Sequence, residues 1–245
     1  MTTRRCFCRS IEMTADDRSA STEVEDDFHH FMVTLEHARG VVTAIGHRAI
    51  RYPWSLCPAA GNQLQALVGL PLDGDLRTVL AQGDIRANCT HMFDLACLAV
   101  TAAARGLARR RYDMAVEVLT PVQRAATLAR DDGFRLAWTI EGTEIADPAP
   151  FAGIGLKRGF VDWAADTLAR DEAEAAILLR RAVFLSGGLR RDLDEAENAA
   201  QGARTMGGCF VMREGIAEHA LRIKGATRDF AATGTGPLMR APRVV

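Results

Sequence analysis

Much of what the chain can be is settled by what it does not contain. No run of apolar residues is long enough to span a bilayer. Arg4 and Arg5 are followed by no apolar h-region, so no secretory signal is expected. An excess of one charge is also missing. The formal net charge is −1, and the arginine clusters at 109–111 and 190–191 are short and separated. No broad field therefore draws nucleic acid or an anionic membrane. Aromatic residues are sparse, at 6%, which leaves few platforms for stacking bases. The six cysteines show no dense pairing pattern, which points to a reducing cytoplasm. There is no Gly-x-Gly-x-x-Gly after a strand, no Walker-type loop, no His-Glu-x-x-His and no Gly-x-Ser-x-Gly. Nucleotide, metalloprotease and hydrolase-elbow chemistries fall away with them.

What remains is a chain of 245 residues, 48% apolar and 25% charged, with ample material for a core. "RRCFCRSIEM" alternates as a strand does, and "FHHFMVTLEHARGVVTAIGHRAI" reads as two strands around a turn at His37 to Gly40. Helices are expected over "CPAAGNQLQALVGL" and from Cys89 to Arg109. "YDMAVEVL" then reads as a strand and "RAATLARDDGFRLAWTIEG" as a hairpin turning at Asp131 to Gly133, with Phe134, Leu136, Trp138 and Ile140 on its buried face. "ADPAPFAGIG" reads as a loop. Helix is expected from Phe160 through Leu185, with a break at Gly187 and Gly188, and again to about Lys224. The fold class is therefore α+β, antiparallel strands packed against helices, over residues 1–232. Halves at 1–109 and 110–232 are an alternative division, and 233–245 is a peripheral tail. Cys89 with Met92, and Cys209 with Met212, head corresponding helices, which suggests a duplicated strands-plus-two-helices unit.

The segment "ANCTHMFDLACLAV" concentrates the chemistry. Asn88 is a favoured N-cap, which puts Cys89, Thr90 and His91 in the first helical turn, and Phe93, Ala96, Cys97 and Val100 on a buried stripe. The unpaired N–H groups and the helix dipole there favour a thiolate at Cys89 and a neutral, proton-accepting His91. The same N–H groups could hold an anionic oxygen. The competing reading is a small packed cysteine and a Thr-His pair that only completes the cap. In "RYPWSLCPAAG", Pro58 makes Cys57 the cap of the preceding helix. Tyr52 and Trp54 before it either line a pocket for a flat ligand or plug the core. Cys57, Cys89, His91 and Cys209 are zinc-ligand types, yet no pair has finger-like spacing, so no metal is expected. In "EVEDDFHHFMVTLEH", neighbouring residues face opposite ways. Phe31, Val33 and Leu35 favour His29 as the inward histidine, while Phe28 and Met32 argue for His30. Arg48 on the partner strand either neutralises an anionic ligand or pairs with Glu36.

"HHFMVTLEHARGVVTAIGHRAIRYPWSLCPAAGNQLQALVGL" followed by "CTHMFDLA" resembles a proteobacterial family of unknown function. The shared marks are Pro53 and Cys57, then Leu64, Leu67 and Gly69, then Cys89, Thr90 and His91, with Met92 where the family has leucine. "GGCFVMREGIAEHALRIKGATRDF" also looks like that family's C-terminal region. Some sphingomonad members resemble lyases of lignin-derived dimers, which open a phenylcoumaran ring and release formaldehyde. The resemblance implies a cofactor-independent carbon–carbon lyase acting on a small aromatic molecule, with no nucleic-acid or membrane partner and a homo-oligomer left open. His91 would be the base, and His29 or Tyr52 the acid. Arg48 or helix N–H groups would hold the phenolate beside Trp54, with Cys57, Cys89 and Thr90 lining the site. Two rival readings are a non-catalytic receptor for aromatic acids and a thiol enzyme at Cys89.

Overall fold

The structure is a computed structural model, and it describes residues 5–84, 87–202, 208–233 and 236–239. The alternating segments form eight strands: β1 (Arg5–Ala15), β2 (Ser19–Asp26), β3 (His30–Ala38), β4 (Val41–Arg51), β5 (Arg110–Val118), β6 (Gln123–Arg130), β7 (Arg135–Glu141) and β8 (Glu144–Asp147). They lie in one sheet in the order β4-β3-β2-β1-β5-β6-β7-β8. With its helices this is the α+β architecture that the alternation anticipates. The chain divides into two compact units, one of residues 11–110 and 191–228, the other of 1–10, 111–190 and 229–245.

In the first unit, β2 and β3 pair antiparallel, as do β3 and β4. The period of two puts Ala20, Thr22, Val24 and Asp26 of β2 on the buried face with Phe31, Val33 and Leu35 of β3. Arg39 and Gly40, at φ 52° and 74°, make the two-residue turn between β3 and β4. Two positive φ values in succession match the twist of the flanking strands.

Helix α1 (Leu76–Leu80) is a single short turn capped by Asp75, whereas α2 (Thr90–Arg105) packs on β2 and β3. The sequence suggested a buried stripe on α2. Instead every residue from His91 to Ala102 is buried, the mark of a helix covered on all sides. The Thr22 hydroxyl donates to the Leu95 carbonyl at 2.9 Å and ties the helix to β2.

Two expected helices take other forms. Pro58–Leu67 is a 3-10 segment, laid against β4. Here the His47 ring meets the Pro58 carbonyl at 3.1 Å, and a Cβ on Gly61 would fall 2.3 Å from that ring. Gly61→Ala is expected to cost about 1–3 kcal/mol by overpacking, read as a fall in the urea midpoint. An unchanged midpoint would mean the ring moves aside freely. The described part of 191–224 forms single helical turns, at Leu193–Glu195, Ala199–Gly202 and Phe210–Met212, rather than one continuous helix. Its backbone groups bond elsewhere: Ser55 N–H donates to Leu221 O at 2.8 Å, Ile223 N–H to Pro53 O at 3.0 Å and Phe210 N–H to Asn88 O at 3.0 Å. These tertiary bonds replace the intrahelical ladder that apolar spacing alone suggests.

In the second unit, β5 through β8 form an antiparallel meander. Leu136, Trp138 and Ile140 share its buried face, and Trp138 meets Phe151 and Phe160. β8 occupies the start of the expected loop, and cis peptides precede Pro148 and Pro150. The expected helix from 160 to 185 is two, α3 (Phe160–Thr167) and α4 (Arg170–Leu185), because Leu168 is extended at ψ 157°. Each unit thus runs from a strand meander to a 16-residue helix, α2 or α4, that packs on its strands. Among the described residues, no helix is long and apolar enough to cross a membrane.

Candidate functional site

The last residue of β2 organises the site. Asp26 is fully buried, and its Oδ1 accepts from the Phe28 N–H at 2.9 Å and the His29 N–H at 2.8 Å. This is the local turn that an aspartate makes with its own following backbone. The same oxygen lies 3.0 Å from His29 Nδ1. With Nδ1–H donating there, Nε2 is the basic nitrogen of a neutral His29 ring.

The first turn of α2 brings the second imidazole. The His91 ring stacks on His29 with centroids 3.8 Å apart and an interplanar angle of 30°. Its Nε2 is 4.0 Å from Asp26 Oδ2, and its Nδ1 lies 3.5 Å from Thr90 Oγ1 and 4.0 Å from Cys89 Sγ. Phe31 sits 5.7 Å from His29 and 5.9 Å from His91, and Tyr52 stacks on Phe31 at 6.5 Å. His29 keeps 13% of its side chain exposed and His91 8%. Two imidazoles and a carboxylate thus meet at an aromatic wall, close to solvent but hardly in it.

The turn is held from behind by Arg51, at the end of β4. Its guanidinium donates to Asp27 O at 3.0 Å, Ala226 O at 2.9 Å and His29 O at 3.2 Å, also to Asp26 O, and to the Glu25 carboxylate at 3.3 Å. Neither Arg51 nor the anchoring role of Asp26 was singled out from the sequence. The signal for Asp26 was its place three residues before a histidine at a strand end. Arg51 carried none, since its acceptors come from the turn and from Ala226.

His30 faces away from this cluster, its Nε2 2.6 Å from Glu23 and its Nδ1 3.5 Å from Glu25. Other expected site residues are placed differently. Arg48 is exposed and pairs in register with Met32, while its neighbour Ala49 lies opposite the buried Phe31. The period of two therefore puts Arg48 on the other face from the histidines, and Glu36 lies opposite Ala44. Trp54 is only 3% exposed. The Arg222 guanidinium sits 5.7 Å over its ring, and a Cβ on Gly202 would fall 2.4 Å from it. It plugs the core and offers no face to a ligand. Cys57 is buried, and Thr90 is half-buried beside His91.

The helix start also departs from expectation. Cys89, not Asn88, is the N-cap, with an extended ψ of 118°, and Asn88 instead donates to Asp84 O at 2.9 Å. Burial pushes the Cys89 thiol up to about 12, helped by nearby Cys209 and opposed by the Met92 and His91 N–H groups. The expected thiolate is thus disfavoured, because desolvation outweighs the helix-end field. Burial likewise raises Cys57 and Cys209.

A thiol raised in the folded state keeps a proton that the unfolded chain releases above about 9. Stability should therefore be level below that pH and fall as pH climbs toward 12, by up to roughly 4 kcal/mol for Cys89. Urea midpoints between pH 8 and 11 check this, and the loss should shrink in Cys89→Ala. A profile without slope would contradict it.

Asp26, His29 and His91 each offer one ligand atom within 4.8 Å of the others, a group that could hold a metal ion. None of the four zinc-type residues weighed from spacing except His91 takes part.

Residues 9–105 match a family described as Protein of unknown function (DUF2889). The DUF2889 segment carries Asp26, His29, Arg51 and His91, so the whole imidazole–carboxylate cluster lies inside the match. No curated protein and no solved structure matches the chain.

Proposed function

We propose that the chain is an acid–base enzyme, a lyase that cleaves a carbon–carbon bond in a phenolic aromatic dimer and releases formaldehyde. The observation that carries the acid–base part is the buried Asp26 that orients His29 beneath the stacked ring of His91. An aspartate that fixes one imidazole tautomer is a recurring device for proton transfer near neutral pH. The substrate class rests on the resemblance to a family of unknown function, some of whose sphingomonad members look like lyases of lignin-derived dimers, and the half-buried Tyr52, backed by Phe31, is an aromatic face that a flat guest could meet.

The reaction needs no net oxidation. A ring phenolate pushes out the aryl ether oxygen and leaves a quinone methide. A base takes the proton of the primary alcohol, the carbon–carbon bond breaks, and its electrons return to the ring as formaldehyde departs and a stilbene remains. One proton leaves the alcohol and one arrives at the departed phenolic oxygen. Two imidazoles suit that exchange, with His91 as base and His29, carrying a second proton on Nε2 for this step, as acid, and Tyr52 is the other acid candidate. With Arg48 on the other face, the phenolate-holding role falls to whichever α2 N–H groups do not already face the Cys89 thiol.

The test is incubation with phenylcoumaran dimers, with stilbene absorbance and formaldehyde followed together. The two products are expected in equal amounts. Thermal stabilisation by the dimers with neither product would make the protein a receptor and end the lyase reading.

A further inference from the structure

We propose that Asp26, His29 and His91 form a chelate for a divalent transition-metal ion of the zinc or cobalt class, and that the bound ion shuts off proton transfer at the site. The inference rests on the acid–base reading only in its second half, the inhibition.

The donor set is the first argument. Two imidazoles and one carboxylate suit borderline divalent ions, and three ligands gathered on one side leave coordination positions for water. Metal–ligand bonds of about 2.0–2.2 Å place neighbouring ligand atoms roughly 3.0–3.5 Å apart. His29 Nδ1 and Asp26 Oδ1 already stand at 3.0 Å, and His91 Nε2 stands 4.0 Å from Asp26 Oδ2. All three donors fall within 4.8 Å of one another. Closing on an ion therefore asks for a modest turn of the His91 ring out of its 30° stack.

The surroundings are the second argument. Oδ1 of Asp26 is fixed by two backbone N–H groups, which aims Oδ2 at His91. Ligation through His91 Nε2 puts the proton on Nδ1, which faces Thr90 Oγ1 at 3.5 Å. Hydrogen bonds behind the ligands in this way set tautomer and orientation at metal sites. Arg51 directs the bonds described above to carbonyls of the turn and to Glu25. Ligand positions come from the end of β2, the turn after it and the head of α2, all tied into the core.

An ion held by His29 Nδ1 moves that ring's proton to Nε2 and fills the lone pair of His91 Nε2, so neither ring can accept a proton, and metal and turnover exclude each other.

The test is titration of the full chain with cobalt(II) chloride, followed by visible absorption and calorimetry. One ion per chain is expected, with ligand-field bands and without the near-ultraviolet charge-transfer band of a thiolate ligand. His29→Gln and His91→Gln should each weaken binding by more than the roughly 10- to 100-fold that loss of a partner behind a ligand costs, with unchanged circular dichroism, while His30→Gln should bind as the parent does. Absence of uptake, a thiolate charge-transfer band, or binding indifferent to both His29→Gln and His91→Gln would overturn the chelate. Binding is read without substrate, so it stands apart from turnover. Uptake without any lyase activity would retain the ion site and remove the reaction, and activity untouched by a saturating ion would remove the inhibition.

Discussion

His91→Gln is expected to lower turnover of a phenylcoumaran dimer by roughly 100- to 10,000-fold, the range that a positioned acid or base contributes. Glutamine fills similar space and keeps a polar group toward Thr90, so the fold should survive. His91 makes its described contacts with other rings and with the α2 head. Steady-state kinetics beside a circular dichroism spectrum separates the two effects. The loss should sit in kcat, because the proton moves only during the chemical steps. If the variant turns over as the parent does, His91 has no part in the reaction, and the weight passes to His29 and Tyr52.

The second large effect concerns stability. Asp26→Ala removes the acceptor for two buried N–H groups and the His29 ring at once. Stranded buried donors cost about 1–3 kcal/mol each, and the turn can relax enough to recover some of that, so a loss of about 3–5 kcal/mol is expected. Asp26→Asn keeps an acceptor oxygen for the N–H groups and should cost about 1 kcal/mol, the worth of an ordinary hydrogen bond. It also puts an N–H group where Oδ2 faces His91 Nε2 at 4.0 Å, a donor aimed at a nitrogen that must accept a proton, and turnover should fall by ~100-fold or more. Chemical denaturation and kinetics on the pair decide the matter. Equal stability of the two variants would mean that Asp26 holds no turn. Full activity of Asp26→Asn would mean that the carboxylate beside the two rings has no part in the reaction.

The contrast between Arg48 and Arg51 shows how far the residues alone could be read. Both lie near the end of β4, three residues apart. The strand itself was legible from its alternation, but which arginine served the cluster depended on pairing. A register irregularity between His30 and Phe31 falls just where β3 meets that end of β4, and such a slip has no marker in composition. The His29 and His91 rings were each visible as candidates, because a strand end and a helix head are places where polar side chains need a reason. Their stacking was not, since it joins positions 62 residues apart through the packing of α2 on β3. Cys89 failed for a related reason. The helix-end field is local and can be read from sequence, whereas the burial that opposes it comes from tertiary packing, and Cys209, 120 positions away in the chain, adds to that opposition. The 191–224 segment departs from the helix its apolar spacing suggests, because its hydrogen bonds go to residues far away in the chain.

Those distant hydrogen bonds bear on how the protein can be dissected. Residues 9–105 look like a module that could be cloned separately. Yet Arg51 reaches out to Ala226, Asp27 O receives the Arg228 N–H at 2.7 Å, and Pro53, Ser55 and Asn88 are each bonded by residues beyond 209. A fragment cut at the family boundary would leave these backbone groups to water and uncover Trp54, which Arg222 roofs. The later stretch acts as a clasp, closed over the histidine-bearing part by residues that are synthesised well after it.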